Sequence, residues 1–239
     1  MTGYFSEGIC GYYPERLTRN HCFSDDTHSL SQAQLTRVLA KGYRRFGVDY
    51  YRPYCRACRE CTPYRVLVHE FRMTRRFRRT LKRNADLAIR WAKPRPSREK
   101  FDLYLRYQLT RHKEWDTLSE QGMKRALAET MIQQMYMNPE DSIELTILLD
   151  NRVIGFAVFD RTLDSLSAVY SVFDPQAKAR SLGTLNILLA IERTRELQLP
   201  YLNLGLYLAG HEKMSYKANF QPAEIYHHHQ WRKFQRETT

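Results

Sequence analysis

Between Ile143 and Tyr207 the hydrophobic period of the chain switches from strand to helix and back, which constrains the fold more than any other feature. Residues 143–149 and 153–159 are short apolar runs on either side of Asp150-Asn151-Arg152, and they predict two strands across a tight turn. Residues 166–173 alternate in apolarity and predict a third strand. Leu185, Leu188, Leu189 and Ile191 then recur at helical spacing behind Ser181, a residue type that caps helix N-termini well. Pro200 opens a fourth strand running through Tyr207. The order strand, strand, strand, helix, strand defines a mixed core of sheet and helix. Periodicity alone does not set its topology.

The first half reads differently. Ser29-Leu30-Ser31 precedes a helix with Leu35, Val38 and Leu39 on one face, ended near Gly42. Residues 64–68 predict a short strand, and 75–91 a basic helix stopped by Pro94-Arg95-Pro96. Phe101, Tyr104, Leu105 and Leu109 mark a helix from Arg98. Met123, Leu127, Met131 and Met135 mark another over 120–136, a methionine stripe of the core-filling kind. His227-His228-His229 reads as exposed polar sequence. The division expected is a cysteine-containing basic region, 1–95, and a second domain, 96–239. No apolar run approaches the roughly 20 residues that span a bilayer. The first residues lack the basic and apolar parts of a secretory signal, so a cytoplasmic protein is expected.

Charge is concentrated. Lys41 to Arg83 holds fourteen Lys and Arg against three Asp and Glu, a net of +11 against +12 for the whole chain. Tyr43, Phe46, Tyr50, Tyr51, Tyr54, Tyr64, Phe71 and Phe77 interleave with these cations. Basic side chains neutralise phosphates and aromatic rings stack on unpaired bases, so the stretch suits a nucleic acid; a solvated basic face over an aromatic core has the same composition. Cys55, Cys58 and Cys61 have metal-ligand spacing, and Cys10 or Cys22 could complete a four-thiolate site for zinc or an iron–sulfur cluster. Free thiols are the alternative.

Several short motifs carry a likeness to known proteins. Near the start stands Cys10-Gly11-Tyr12-Tyr13, followed by Gly42-Tyr43-Arg44-Arg45-Phe46-Gly47 and by Tyr51-Arg52-Pro53-Tyr54-Cys55. The pairs Arg75-Arg76 and Arg78-Arg79 come next. Later come Tyr170-Ser171-Val172-Phe173-Asp174-Pro175, Arg180-Ser181-Leu182-Gly183, Leu204-Gly205, and Lys213-Met214-Ser215-Tyr216-Lys217. From Cys10 to Pro222 this order resembles the aminoacyl-tRNA–protein transferases, the family of bacterial aspartate/glutamate leucyltransferases and eukaryotic arginyltransferases. Tyr13 stands where the opening motif has a second cysteine, and Leu206-Tyr207 where it commonly has an aromatic pair. The resemblance implies an α+β fold with an N-acetyltransferase-like mixed sheet core behind a cysteine-containing basic N-terminal region. It also implies transfer of an amino acid from charged tRNA to proteins with N-terminal Asp or Glu, marking them for N-degron degradation. The C-terminal motifs are more similar to the leucyltransferases, so leucine is the expected donor residue and arginine the alternative. A non-catalytic cysteine-metal RNA-binding module is the rival of another class.

That chemistry asks little of a protein. An α-amine attacks an activated ester, a downhill exchange that needs neither ATP nor a cofactor. An α-amine of pKa about 8 is already partly neutral at pH 7. The enzyme must align the reactants, accept a proton and stabilise an oxyanion. Within the resemblance, Arg180 is the expected fork for the acceptor carboxylate. Tyr170 and Asp174 are the expected donor and proton acceptor, with Ser181, Leu182 and Gly183 at a helix start. Tyr207, Lys213, Tyr216 and Lys217 are expected to line the substrate site. Arg44, Arg45, Arg75, Arg76, Arg78 and Arg79 are expected on the tRNA, and Cys10, Cys55, Cys58 and Cys61 around any metal.

Overall fold

The computed structural model describes residues 2–27, 30–111, 121–137, 139 and 141–236. It divides into two compact units that interleave along the chain: Met1–Arg72, Arg161–Ser167 and Thr194–Thr239 form one, Met73–Asp160 and Ala168–Arg193 the other. This differs from the division expected after residue 95. Cysteine and arginine content marks the early sequence, but strands pair according to tertiary position. β5 (Thr62–Leu67) pairs antiparallel with β10 (Tyr201–Tyr207), more than a hundred residues later.

In the first unit, β1 (Tyr4–Ile9), β2 (Leu17–Ser24), β3 (Arg44–Phe46) and β4 (Asp49–Pro53) form an antiparallel sheet in the order β1-β2-β4-β3. None of these four strands was expected from periodicity. α1 (Gln32–Ala40) carries a capping box in which the Ser31 hydroxyl accepts from the Gln34 amide and the Gln34 side chain accepts from the Ser31 amide. It buries Leu35 and Leu39 against Tyr50. The second sheet of this unit runs β12-β11-β5-β10-β9, from β9 (Ser165–Phe173), β11 (Ala223–His227) and β12 (Gln230–Lys233). β9 and β10 are parallel. β10 carries an irregularity between Asn203 and Gly205, and Gly205 has φ +75°. The histidine run is the β11–β12 hairpin: His228 and His229 take φ of 49° and 63°.

In the second unit the strand order is β9-β8-β7-β6, with β6 (Ala88–Ala92), β7 (Ile143–Leu149) and β8 (Arg152–Arg161). Asp150 and Asn151 supply the positive φ of the β7–β8 turn. α3 (Arg98–Arg111) and α4 (Gln121–Met135) contribute Phe101, Leu103, Tyr104, Ala128, Ile132 and Met135 to a core completed by Val153, Phe156, Val158, Val169 and Val172. Met123 and Leu127 of the methionine stripe are exposed, so the buried face of α4 is the one through Ala128 and Ile132. Glu120 lies outside the described residues. The basic helix α2 spans only Arg75–Arg83, because Asn84 caps it and 88–92 pairs with β7 instead. α5 (Leu182–Glu196) joins β9 to β10, giving the strand, strand, strand, helix, strand order of an α+β mixed sheet. Among the described residues no helix is long and apolar enough to cross a membrane.

Candidate functional site

The motif residues fall into two groups, one per unit. In the first unit, Arg44 on β3 lies against Gly205: a Cβ at that glycine would stand 2.5 Å from the Arg44 Cζ, and its positive φ disfavours any other residue. Lys217 sits in a short 3₁₀ helix, Ser215–Asn219, and its Nζ donates to the Leu206 carbonyl. Lys217 is only 5% exposed. Burial, and after it the Arg44 charge, hold its amine well below the usual value for lysine. Burial pushes the Tyr12 hydroxyl up to about 12, against the opposing pull of Arg44. The Tyr12 and Tyr13 rings pack edge-on to His211, 5.5 and 5.8 Å away.

Other expected residues of this unit are placed elsewhere. Arg45 is buried and donates to the Gly47 carbonyl at 2.7 Å, so it braces its own turn and does not face a nucleic acid. The Tyr207 ring packs with Tyr64 and Phe234. Lys213 and Tyr216 are exposed. The Lys213–Lys217 pair therefore splits, one solvated and one buried.

The cysteines gather without forming a metal cage. Burial first, then Cys10, Cys58 and Cys55, push the Cys61 thiol up to about 12. Thr18 Oγ1 lies 3.9 Å from the Cys55 sulfur, to which the Arg19 amide donates at 3.5 Å. Arg16 donates to Cys58 Sγ at 3.8 Å and to Glu60 at 2.6 Å, where Tyr13 also donates at 2.6 Å. Among the described residues no three His, Cys, Asp or Glu are arranged to hold an ion. Protein donors thus reach the Cys55 and Cys58 sulfurs. Cys55, Cys58, Cys61, Arg52, Tyr226 and His228 line a cavity of about 390 Å³.

In the second unit, Arg180 meets Asp86 through both fork nitrogens, Nη1 to Oδ1 at 2.9 Å and Nη2 to Oδ2 at 2.8 Å. Asn84 holds the Arg180 carbonyl at 2.8 Å. The expected carboxylate fork is therefore already filled by a partner 94 residues away. Asp174 caps the 3₁₀ turn Pro175–Arg180, its Oδ1 accepting from the Gln176 amide at 2.9 Å. Ser181 stands before α5 as expected, but with φ 56°; its carbonyl, not its hydroxyl, accepts from Thr184 and Leu185. Leu182 is buried, and Gly183 leaves room for the Phe173 ring, 3.3 Å from where a Cβ would stand. The Tyr170 hydroxyl accepts from Gln108 at 3.0 Å, and burial raises its pKa strongly. Arg75, Arg76, Arg78 and Arg79 are all exposed on α2, while Phe77 and Thr80 face inward. Sequence reasoning missed Asp86, Gln108 and the place of Tyr12; of these only Tyr12 carried a signal, inside the opening motif.

Comparison with known proteins agrees with this arrangement of motifs. Residues 8–79 match the family model for the N terminus of arginine-tRNA-protein transferase, and residues 99–227 the model for its C terminus. The aspartate/glutamate leucyltransferase of Leptospira interrogans serovar copenhageni is 38% identical, over 92% of this chain and 84% of its own. That of Hahella chejuensis is 36% identical, over 94% and 93%. A solved N-acetyltransferase, PaiA of Thermoplasma acidophilum, overlays 47% of this chain and 75% of its own at 12% identity and a TM-score of 0.36, too loosely to add to the assignment. The chain belongs to the arginine-tRNA-protein transferase family, whose members are aminoacyl-tRNA–protein transferase enzymes.

Proposed function

We propose that this protein transfers leucine from Leu-tRNA to the N-terminal Asp or Glu of proteins, in the cytoplasm, as a mark for N-degron degradation. The observation that carries this reading is the name shared by the relatives of Leptospira and Hahella, which match more than nine-tenths of the chain. The four exposed arginines of α2 suit the phosphates of a tRNA acceptor arm. The acceptor amine attacks the aminoacyl ester carbonyl, the tRNA 3′ oxygen leaves, and an amide forms while the amine loses a proton. The protein need only hold both reactants in line.

The test is transfer of labelled leucine or arginine from the charged tRNA to peptides beginning Asp, Glu or Ala. Leucine on the acidic peptides alone is expected. Arginine in its place changes the donor, and transfer from neither donor overturns the reading. The proposed reaction requires no cofactor, and Cys10, Cys55, Cys58 and Cys61 remain free thiols. Anaerobically purified protein is expected to be folded and active without stoichiometric metal. Zinc, or iron with sulfide, near one site per chain and released by Cys55→Ser with Cys58→Ser would reverse that assignment.

A further inference from the structure

Arg44 and Lys217 engage consecutive residues of one strand, Arg44 against Gly205 and Lys217 on the carbonyl of Leu206. Both basic side chains thus meet the same stretch of β10, and the Arg44 charge depresses the Lys217 amine. Neither pairs with a carboxylate among the described residues. Other basic residues do: buried Lys100 has Glu144, Arg65 has Glu224, and half-exposed Arg180 has Asp86. Enclosing like charges with no counterion is costly, and an arriving anion relieves the cost.

On the strength of this geometry, and resting on the leucyl-transfer reading above, we infer that Arg44 and Lys217 form the subsite for the side-chain carboxylate of the acceptor's N-terminal Asp or Glu. Arg44 is half-buried and presents a planar fork, the group that best matches a carboxylate. Lys217 lies deeper and supplies charge behind it. Tyr12, in the same field, brings a hydroxyl. An Asn or Gln amide would turn an N–H toward these cations and be rejected. Arg180 does not compete for this role, because Asp86 occupies its fork. A tRNA phosphate would also satisfy two cations, so the experiment separates peptide from tRNA.

The experiment uses the full chain and its variants Arg44→Gln and Arg44→Lys, with melting curves to confirm that each is folded. Leucine transfer is measured at saturating Leu-tRNA with peptides beginning Asp, Asn, Glu and Gln. Binding of the same labelled peptides without tRNA, and of the tRNA alone, is measured alongside. For Arg44→Gln, KM for the acidic peptides should rise about ten- to a hundredfold with kcat changed far less. The preference for Asp over Asn should fall toward one, and tRNA affinity should stay within about twofold. Arg44→Lys should recover part of the preference, because a point charge lacks the fork. An unchanged Asp-over-Asn preference in Arg44→Gln overturns the subsite; a fall in tRNA affinity without loss of preference assigns the pair to phosphate instead. The peptide-binding arm keeps the two readings apart. Acidic peptides bound through Arg44 by a protein that transfers no leucine would leave the subsite and remove the activity.

Discussion

Arg180 and Arg44 belong to motifs of the same family signature, yet the two regions that hold them treat a guanidinium in opposite ways. Arg180 is gripped at both fork nitrogens by Asp86 and closes a turn before α5. Arg44 lies on a glycine beside a buried lysine, with no carboxylate among the described residues to meet it. A charge whose partner is built in stabilises geometry. A charge whose partner is missing leaves a cost that an arriving anion relieves. The arginines of α2 make a third case, since they are exposed and solvated, and cost little until a polyanion arrives.

The widest separation between these cases should come from α2. Replacing Arg75, Arg76, Arg78 and Arg79 together by Ala should weaken tRNA binding by about a hundredfold near physiological salt. It should also make the logarithmic salt slope shallower by up to about four. Peptide binding should not change. An unaltered salt slope would reduce α2 to an ordinary solvated face.

Next comes the direct contrast of the two forks. Arg180→Ala should leave the Asp-over-Asn preference within about twofold, where Arg44→Gln loses ten- to a hundredfold. If the two variants exchange these outcomes, Asp86 must release Arg180 when substrate binds, and the roles of the two forks are inverted.

How far these cases could be read in advance depends on where each residue's partner lies. The β7–β8 hairpin, β9, α5 and β10 were legible because period, turn residues and caps act over a few positions. The same holds for the helix after Ser31, though its capping box with Gln34 was not read. β1, β2 and β4 mix polar and aromatic residues without a clean alternation, and their pairing is set by neighbours. Arg180 looked available because nothing nearby in sequence announces Asp86. Lys217 looked like one of a solvated pair. It is buried and donates to the Leu206 carbonyl on strand β10, a tertiary contact that no local pattern encodes.

Lys217 allows a test in which stability and function move apart. Its amine is held well below the usual lysine value by burial and by Arg44, so below that usual value, near pH 10.4, folding is opposed by the cost of the charged form. Lys217→Met fills similar space with no charge. It should stabilise the free protein by about 1 kcal/mol or more, a rise of about 2–4 °C in Tm at pH 7, while lowering the preference for acidic peptides. The gain should shrink as the pH is raised toward the unfolded value of about 10.4, above which the wild-type amine loses its proton in both states. A large fall in Tm at pH 7 would instead make the Leu206 hydrogen bond the reason for the lysine.

The smallest effect belongs to the satisfied pair. Hydrogen bonding from Arg180 holds the Asp86 carboxyl below the usual carboxylate range. A carboxyl with a depressed folded pKa adds stability above its unfolded pKa of about 3.9, and that contribution is lost as the pH falls through the lower folded value. Asp86 is exposed, so solvent screens the pair and only a degree or two of Tm, on the order of other surface bridges, is at stake. Arg180→Ala should melt slightly below wild type between pH 5 and 8, and the gap should close as the pH drops below about 4. High salt should narrow it at neutral pH as well. A gap that persists unchanged at pH 2.5 would show that Arg180 holds this turn through packing and not through its charge, and the contrast with Arg44 would then rest on Arg44 alone.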